Sequence, residues 1–178
     1  FEFGIQGFSY GEIKPKIEQN VRMRNCFFVH DSNKAPAEWL LELLLVNDTL
    51  DSSSAHEVID VLPYLKFSRQ DRKDESRTPI SAEAITKVIE PYARRVLTLD
   101  VHNPAIQGFY RIPFDGLHPF PAVVEHLQKN HPSILKDLVV ASTDVGGAVR
   151  AKALAKKLGT SNIAIGYKTR PADGEVEG

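Results

Sequence analysis

Val58-Ile59-Asp60-Val61-Leu62, then Ser81-Ala82-Glu83-Ala84-Ile85-Thr86-Lys87-Val88-Ile89-Glu90-Pro91-Tyr92, then Val96-Leu97-Thr98-Leu99-Asp100 together decide the fold of this chain. Two short apolar runs rich in branched residues flank a longer segment of helical period, and parallel strands need such a crossover between them. The same alternation extends in both directions. Strands are predicted over 26–30, 58–62, 96–100, 138–142 and 162–165, each of an ordinary strand length. Helices are predicted over 37–50, 81–92, 122–130 and 148–158, the first with Trp39, Leu40, Leu43, Leu44 and Leu50 at helical spacing. Pro79 and Pro121 stand just before two of these helices, where a missing amide costs nothing, and Gly159 ends the last. Five strands joined by four helices predict a doubly wound parallel α/β sheet.

Composition bounds what such a sheet could serve. The chain has 178 residues, 42% of them apolar, enough for one domain or one and a fraction. Its net charge is −1 and its basic residues are spread along the chain, which argues against a nucleic-acid or anionic-membrane partner. No run approaches the roughly eighteen apolar residues of a membrane helix. A single cysteine, Cys26, excludes an intramolecular disulfide framework and fits a reducing, cytoplasmic setting. A start at Phe1 and a polar tail from Ala172 to Gly178 lead to the expectation that both ends are trimmed.

In α/β sheets ligands bind beyond the carboxyl ends of the strands. After the second strand comes Arg69-Gln70-Asp71-Arg72-Lys73-Asp74-Glu75-Ser76-Arg77, four cations among three anions. It reads either as a polyphosphate site or as a solvated loop whose charges pair with one another. Asp100 and His102 lie two apart at a strand end, so an extended backbone sends both to one side. They could form a joint metal or phosphate site, or be turn formers. Asp144-Val145-Gly146-Gly147 joins a strand to a helix, and its aspartate could hold a hydrated cation or simply cap the helix. Lys168 and Arg170 follow the last strand and suit a mobile cationic flap, although paired basic residues are common in surface loops.

Taken together these segments resemble one family. Tyr64-Leu65-Lys66-Phe67-Ser68-Arg69-Gln70-Asp71-Arg72-Lys73 and Arg77-Thr78-Pro79-Ile80-Ser81-Ala82 are similar to the ATP-binding segment of ribose-phosphate pyrophosphokinases. Leu97-Thr98-Leu99-Asp100-Val101-His102 with Ile106-Gln107-Gly108-Phe109 resembles their metal and nucleotide segment. Asp144-Val145-Gly146-Gly147 with Arg150-Ala151 and Ala153-Leu154-Ala155 continues the match, and Lys168-Thr169-Arg170-Pro171 sits where the family has its catalytic flexible loop. The likeness runs in order from about Phe8 to Pro171, over several long motifs.

The resemblance implies a phosphoribosyltransferase-like fold, with an ATP-binding domain at 1–135 and a truncated second domain at 136–178. It also implies transfer of the diphosphoryl group of ATP to ribose 5-phosphate with magnesium as cofactor. Arg69, Gln70, Asp71, Arg72, Lys73 and Asp74 are then expected at ATP, joined by Phe8 and Glu12 reaching a neighbouring subunit's adenine in a homo-oligomer, a hexamer built from dimers. Asp100, His102, Asp115 and Asp144 are expected to serve magnesium or the phosphates, and Lys168, Arg170 and His102 to be catalytic.

Tyr10 and Arg111 depart from residues common in the family. The family's phosphoribosyl-binding loop does not occur in the sequence, so residues 1–178 are expected to bind ATP without turning over alone. A non-catalytic regulatory paralogue is the rival reading. A phosphoribosyltransferase would need that missing loop and would have no use for Arg69-Gln70-Asp71.

Overall fold

A computed structural model describes residues 2–167 and divides into two compact units between His118 and Pro119. The first opens with an antiparallel hairpin, β1 (Phe3–Gly7) and β2 (Ile13–Ile17), in which Ile5 faces Pro15. Four parallel strands follow, β3 (Asn25–Val29), β4 (Glu57–Leu62), β5 (Arg95–Leu99) and β6 (Phe114–Leu117), side by side in that order. The crossovers α1 (Pro36–Ser52) and α2 (Ser81–Ile89) connect β3 to β4 and β4 to β5. Sheet order equals chain order, so right-handed crossovers bring both helices to the same face.

That face is the core. Trp39, Leu43, Val46 and Leu50 of α1 and Ala82, Ile85 and Ile89 of α2 pack with Cys26, Phe28, Val58, Leu62 and Val96 of the sheet. The period-two alternation of a strand is visible on β3, where Cys26 and Phe28 are buried while Phe27 and Val29 are 60% and 65% exposed. Central β4 has Val58, Ile59, Asp60 and Leu62 all buried.

Two polar groups lie inside this core. Asp60 is fully buried, and its Oδ2 accepts from Nδ2 of Asn47 on α1 over 2.8 Å. Burial pushes the Asp60 carboxyl up to about 7, with the Asn47 bond pulling the other way. His30 lies against the rings of Phe28 and Trp39, at 5.1 and 5.5 Å. Burial lowers its pKa, opposed by Glu42, whose Oε1 is 3.8 Å from Nε2. Glu42 also binds Lys34 Nζ over 2.9 Å.

The second unit carries α3 (Phe120–Asn130), β7 (Val140–Ser142), α4 (Ala148–Leu158) and β8 (Ile163–Ile165). β7 and β8 pair in parallel, and Val140, Ala151 and Ala155 form a small core. Gly159, left-handed at φ +76°, terminates α4.

The α/β class with a parallel sheet holds, and all five expected strands and four expected helices are present with ends shifted by a few residues. Among the described residues the five strands form two sheets rather than one, because β7 and β8 pair only with each other. The hairpin and β6 are additions. Gly4, Gly7, Lys14, Pro15 and Lys16 hide the hairpin from a propensity reading, since proline and glycine mark edges and breaks. β6 is four residues long, with Pro113 before it and Gly116 within it. Within the second unit α3 packs on α4 and on the 3-10 turn Pro132–Asp137. Among the described residues no helix is long and apolar enough to cross a membrane.

Candidate functional site

At the carboxyl edge of the four-stranded sheet the chain leaves β4 into 63–80 and β5 into 100–103. Leu65 and Ser68 are buried, and half-buried Phe67 packs on the core, so the loop after β4 is anchored before its charged part begins. Phe67 is left-handed at φ +64°, an uncommon conformation for a bulky residue. There the chain turns, and the amide of Gln70 donates to the carbonyl of Phe67 over 3.0 Å. The carbonyl of Gln70 then accepts from the amide of Ala82 in the first turn of α2 over 3.1 Å. Arg69 stands exposed at the corner of this turn.

The loop beyond β3 braces the segment. Ser32 Oγ accepts from the amide of Tyr64 over 3.1 Å, and the Ser32 carbonyl accepts from Lys66 Nζ over 2.7 Å. Lys66 lies over the Tyr64 ring at 5.2 Å. The far end of the segment is held by Thr78 Oγ1 donating to the Glu75 carbonyl over 2.9 Å, and Arg77 is left-handed at φ +65°.

The charges between these anchors do not pair with one another. Among the described residues no ion pair involves Arg69, Arg72, Lys73 or Arg77, nor Asp71, Asp74 or Glu75. These side chains are exposed, apart from half-buried Asp71, so their charges face solvent. Asp71 is bound instead by Asn103, from the loop after β5, over 2.6 Å.

Asp100 is half-buried at the end of β5 and left-handed at φ +48°, with its amide donating to the Leu117 carbonyl over 2.8 Å. His102 is exposed two residues on. Asp115 lies on β6 opposite Leu97 and pairs with Arg95 across the sheet. Arg111, where the family pattern is broken, is exposed and gives its amide to Glu90.

Phe8 and Glu12 close the tip of the hairpin, the amide of Phe8 donating to the Glu12 carbonyl over 2.8 Å. Gly11 makes the bend with φ +85°, and Tyr10 at the same tip is 98% exposed.

Asp144 lies in the second unit. Its Oδ1 accepts from the amide of Gly147 over 3.0 Å, so the capping geometry is realised. A Cβ at Gly147 would sit 2.4 Å from Ser142 Oγ, so a side chain there would require that hydroxyl to move. Lys168 and Arg170 lie outside the described residues.

Among the described residues no three His, Cys, Asp or Glu side chains gather as a metal cage. Magnesium at a nucleotide needs none, because it keeps several waters and takes one or two carboxylates besides phosphate oxygens. Asp100, half-buried just after β5, offers a carboxylate of the kind magnesium takes. Sequence reasoning missed Ser32 and Asn103. Nothing marks Ser32, whereas Asn103-Pro104 is a recognisable cap and turn dipeptide.

A parallel sheet with crossover helices defines an α/β protein, here with an exposed cationic turn at the sheet's carboxyl edge. The family model described as the N-terminal domain of ribose phosphate pyrophosphokinase matches residues 2–92, and the chain belongs to this family. Among curated relatives, a ribose-phosphate pyrophosphokinase of Rhizobium meliloti is 43% identical over 174 residues, covering 97% of this chain and 55% of its own length. One from Thermotoga maritima is 41% identical over 171 residues, covering 96% and 54%. The crystal structure of phosphoribosylpyrophosphate synthetase from Mycobacterium smegmatis superimposes with a TM-score of 0.81 at 28% identity, covering 99% of this chain and 58% of that one. The chain thus spans about half the length of the curated relatives it matches.

Proposed function

We propose that this chain is the nucleotide-binding half of a ribose-phosphate diphosphokinase, which moves the β,γ-diphosphoryl group of ATP to the anomeric hydroxyl of ribose 5-phosphate. The products are phosphoribosyl diphosphate and AMP. The observation that carries this reading is the segment from Arg69 to Arg77, where four cations are held at the carboxyl edge of the sheet without carboxylate partners. Anchored, unpaired guanidinium groups suit a polyphosphate, which offers several acceptors at once.

In the reaction the anomeric hydroxyl oxygen bonds to the β-phosphorus as the bond from that phosphorus to the α-bridging oxygen breaks, AMP leaves with the electron pair, and the hydroxyl proton passes to solvent. Catalysis of this kind rests on positioning and on positive charge near developing phosphoryl charge. Arg69 at the turn corner would fix the nucleotide, with Gln70, Arg72, Lys73 and Asp74 along the same segment. Asp100, with Asp144 and Asp115 as further candidates, would hold magnesium, which when bound supplies positive charge at the phosphates. His102, Lys168 and Arg170 would act at the transferring group.

The hairpin tip bearing Phe8 and Glu12 would complete the nucleotide site of a neighbouring copy. The family's setting is soluble nucleotide biosynthesis in the cytoplasm. Sedimentation at tens of micromolar is then expected to show a homo-oligomer, and a strict monomer that binds ATP fully would contradict it.

The direct test is MgATP titration. Arg69→Ala is expected to lower affinity about tenfold to a hundredfold, the cost of losing charged hydrogen bonds. Undiminished binding would sink the assignment. Asp144→Asn keeps the cap but removes the charge, so it separates a magnesium role from the capping the residue performs. An unchanged magnesium dependence of binding would leave Asp144 a cap.

A further inference from the structure

Asn103 joins the loop after β5 to the loop after β4, 32 residues away in sequence. Its Nδ2 donates to Asp71 Oδ2 over 2.6 Å, and its Oδ1 accepts from the Ala105 amide over 3.0 Å, so both ends of the amide are engaged. The backbone at Asn103 is extended, φ −139° and ψ 124°, the region favoured before a proline, and Pro104 follows it. Sequence and cap together therefore preset where the amide points.

What it points at matters. Asp71 sits two residues from Arg69 and directly before Arg72 and Lys73, in a loop whose cations have no acid bound to them among the described residues. A carboxylate left to itself there would pair with a guanidinium and remove a phosphate donor. We propose that Asn103 is a positioning residue for nucleotide binding: by holding the Asp71 carboxylate it keeps that acid off Arg69, Arg72 and Lys73, and it fixes the charged segment against the Asp100–His102 loop. The ligand served is the polyphosphate of a nucleoside triphosphate, and the inference rests on the nucleotide-binding reading above.

The experiment is MgATP calorimetry on the 178-residue chain and its variants, each checked by thermal unfolding. Asn103→Asp keeps an acceptor for the Ala105 amide but sets a second carboxylate against Asp71, and affinity is expected to fall about tenfold. Adding Asp71→Asn restores the bond with donor and acceptor exchanged. Affinity should then rise above that of the single variant, since the two positions act as one coupled pair. Should Asn103→Asp fail to fold, Asn103→Ser retains a capping oxygen but is too short to reach Asp71, and the same loss is expected.

A residue that merely caps the 3-10 turn predicts no loss in either variant and no rescue. Parent-like affinity in a folded Asn103→Asp or Asn103→Ser chain, or a folded double variant no better than the single, overturns the proposal. A parent chain that does not bind MgATP at all overturns the nucleotide-binding reading itself, and this inference with it.

Discussion

The two polar regions of the first unit are built on opposite rules. Inside the core, charge is neutralised or paired: Asp60 is pushed toward its protonated form and bonded to Asn47, His30 is driven neutral, and Glu42 is bound by Lys34. At the carboxyl edge of the same sheet, Arg69, Arg72, Lys73 and Arg77 have no acid partner among the described residues. Phe67, Arg77 and Asp100 flank the edge loops in left-handed conformations, as do Met23 and Ser54 elsewhere, whereas no residue of β3, β4, α1 or α2 is left-handed. The nucleotide-binding reading proposed above accounts for this contrast, since an anionic ligand would supply the partners that the loop itself does not.

Breaking the core should cost most. Trp39→Ala empties a fully buried site between α1 and the sheet, and stability measured by urea unfolding is expected to fall by about 3–5 kcal/mol.

The next largest effect is a pH dependence carried by Asp60. Its folded pKa, about 7, lies above the ordinary 3.8, so below 3.8 both states carry the proton and burial costs nothing. Between 3.8 and about 7 the unfolded chain releases the proton while the folded chain keeps it, and stability falls as pH rises through that window. The loss is at most on the order of 4 kcal/mol, from about 1.4 kcal/mol per pKa unit. Asp60→Asn should flatten this slope in unfolding curves at pH 4 to 8, and a variant that keeps it would locate the titration elsewhere.

The edge should respond in the opposite sense. Arg77→Gly removes a left-handed side-chain residue, so stability is expected to rise by roughly 0.5–1 kcal/mol while MgATP affinity falls. Arg69→Ala, damaging to binding, should change stability by less than about 0.5 kcal/mol. A large stability loss there would mean that the exposed corner is held by contacts of its own.

Most of the βα framework was legible because β3, β4, β5, α1 and α2 carry apolar periods of the right length and clear stops. β6 and the hairpin were not, because their strands are stabilised by pairing with a neighbour rather than by their own residues: Phe114-Asp115-Gly116-Leu117 has little strand character alone. The sheet assignment was also beyond the sequence, since nothing local says that β7 pairs with β8 alone. For the site, the charged segment could be named from residue types, and so could the two readings of it. Only three-dimensional placement could show that Asp71 is bound by Asn103 and that Asp115 is paired with Arg95. Those contacts link residues 32 and 20 apart in sequence, a separation no local pattern encodes.

Cys26 gives the chain a built-in clock. It is the only cysteine of the 178 residues, 3% exposed in the core, and burial raises its thiol pKa above the ordinary value. A thiolate-seeking reagent therefore finds neither an open path nor a ready nucleophile while the sheet is closed. Alkylation would proceed at the pace at which β3 comes away from α1, so the labelling half-time reads the opening of the core directly. Run with and without MgATP, the same measurement would show whether occupying the edge loops slows breathing of the core beneath them.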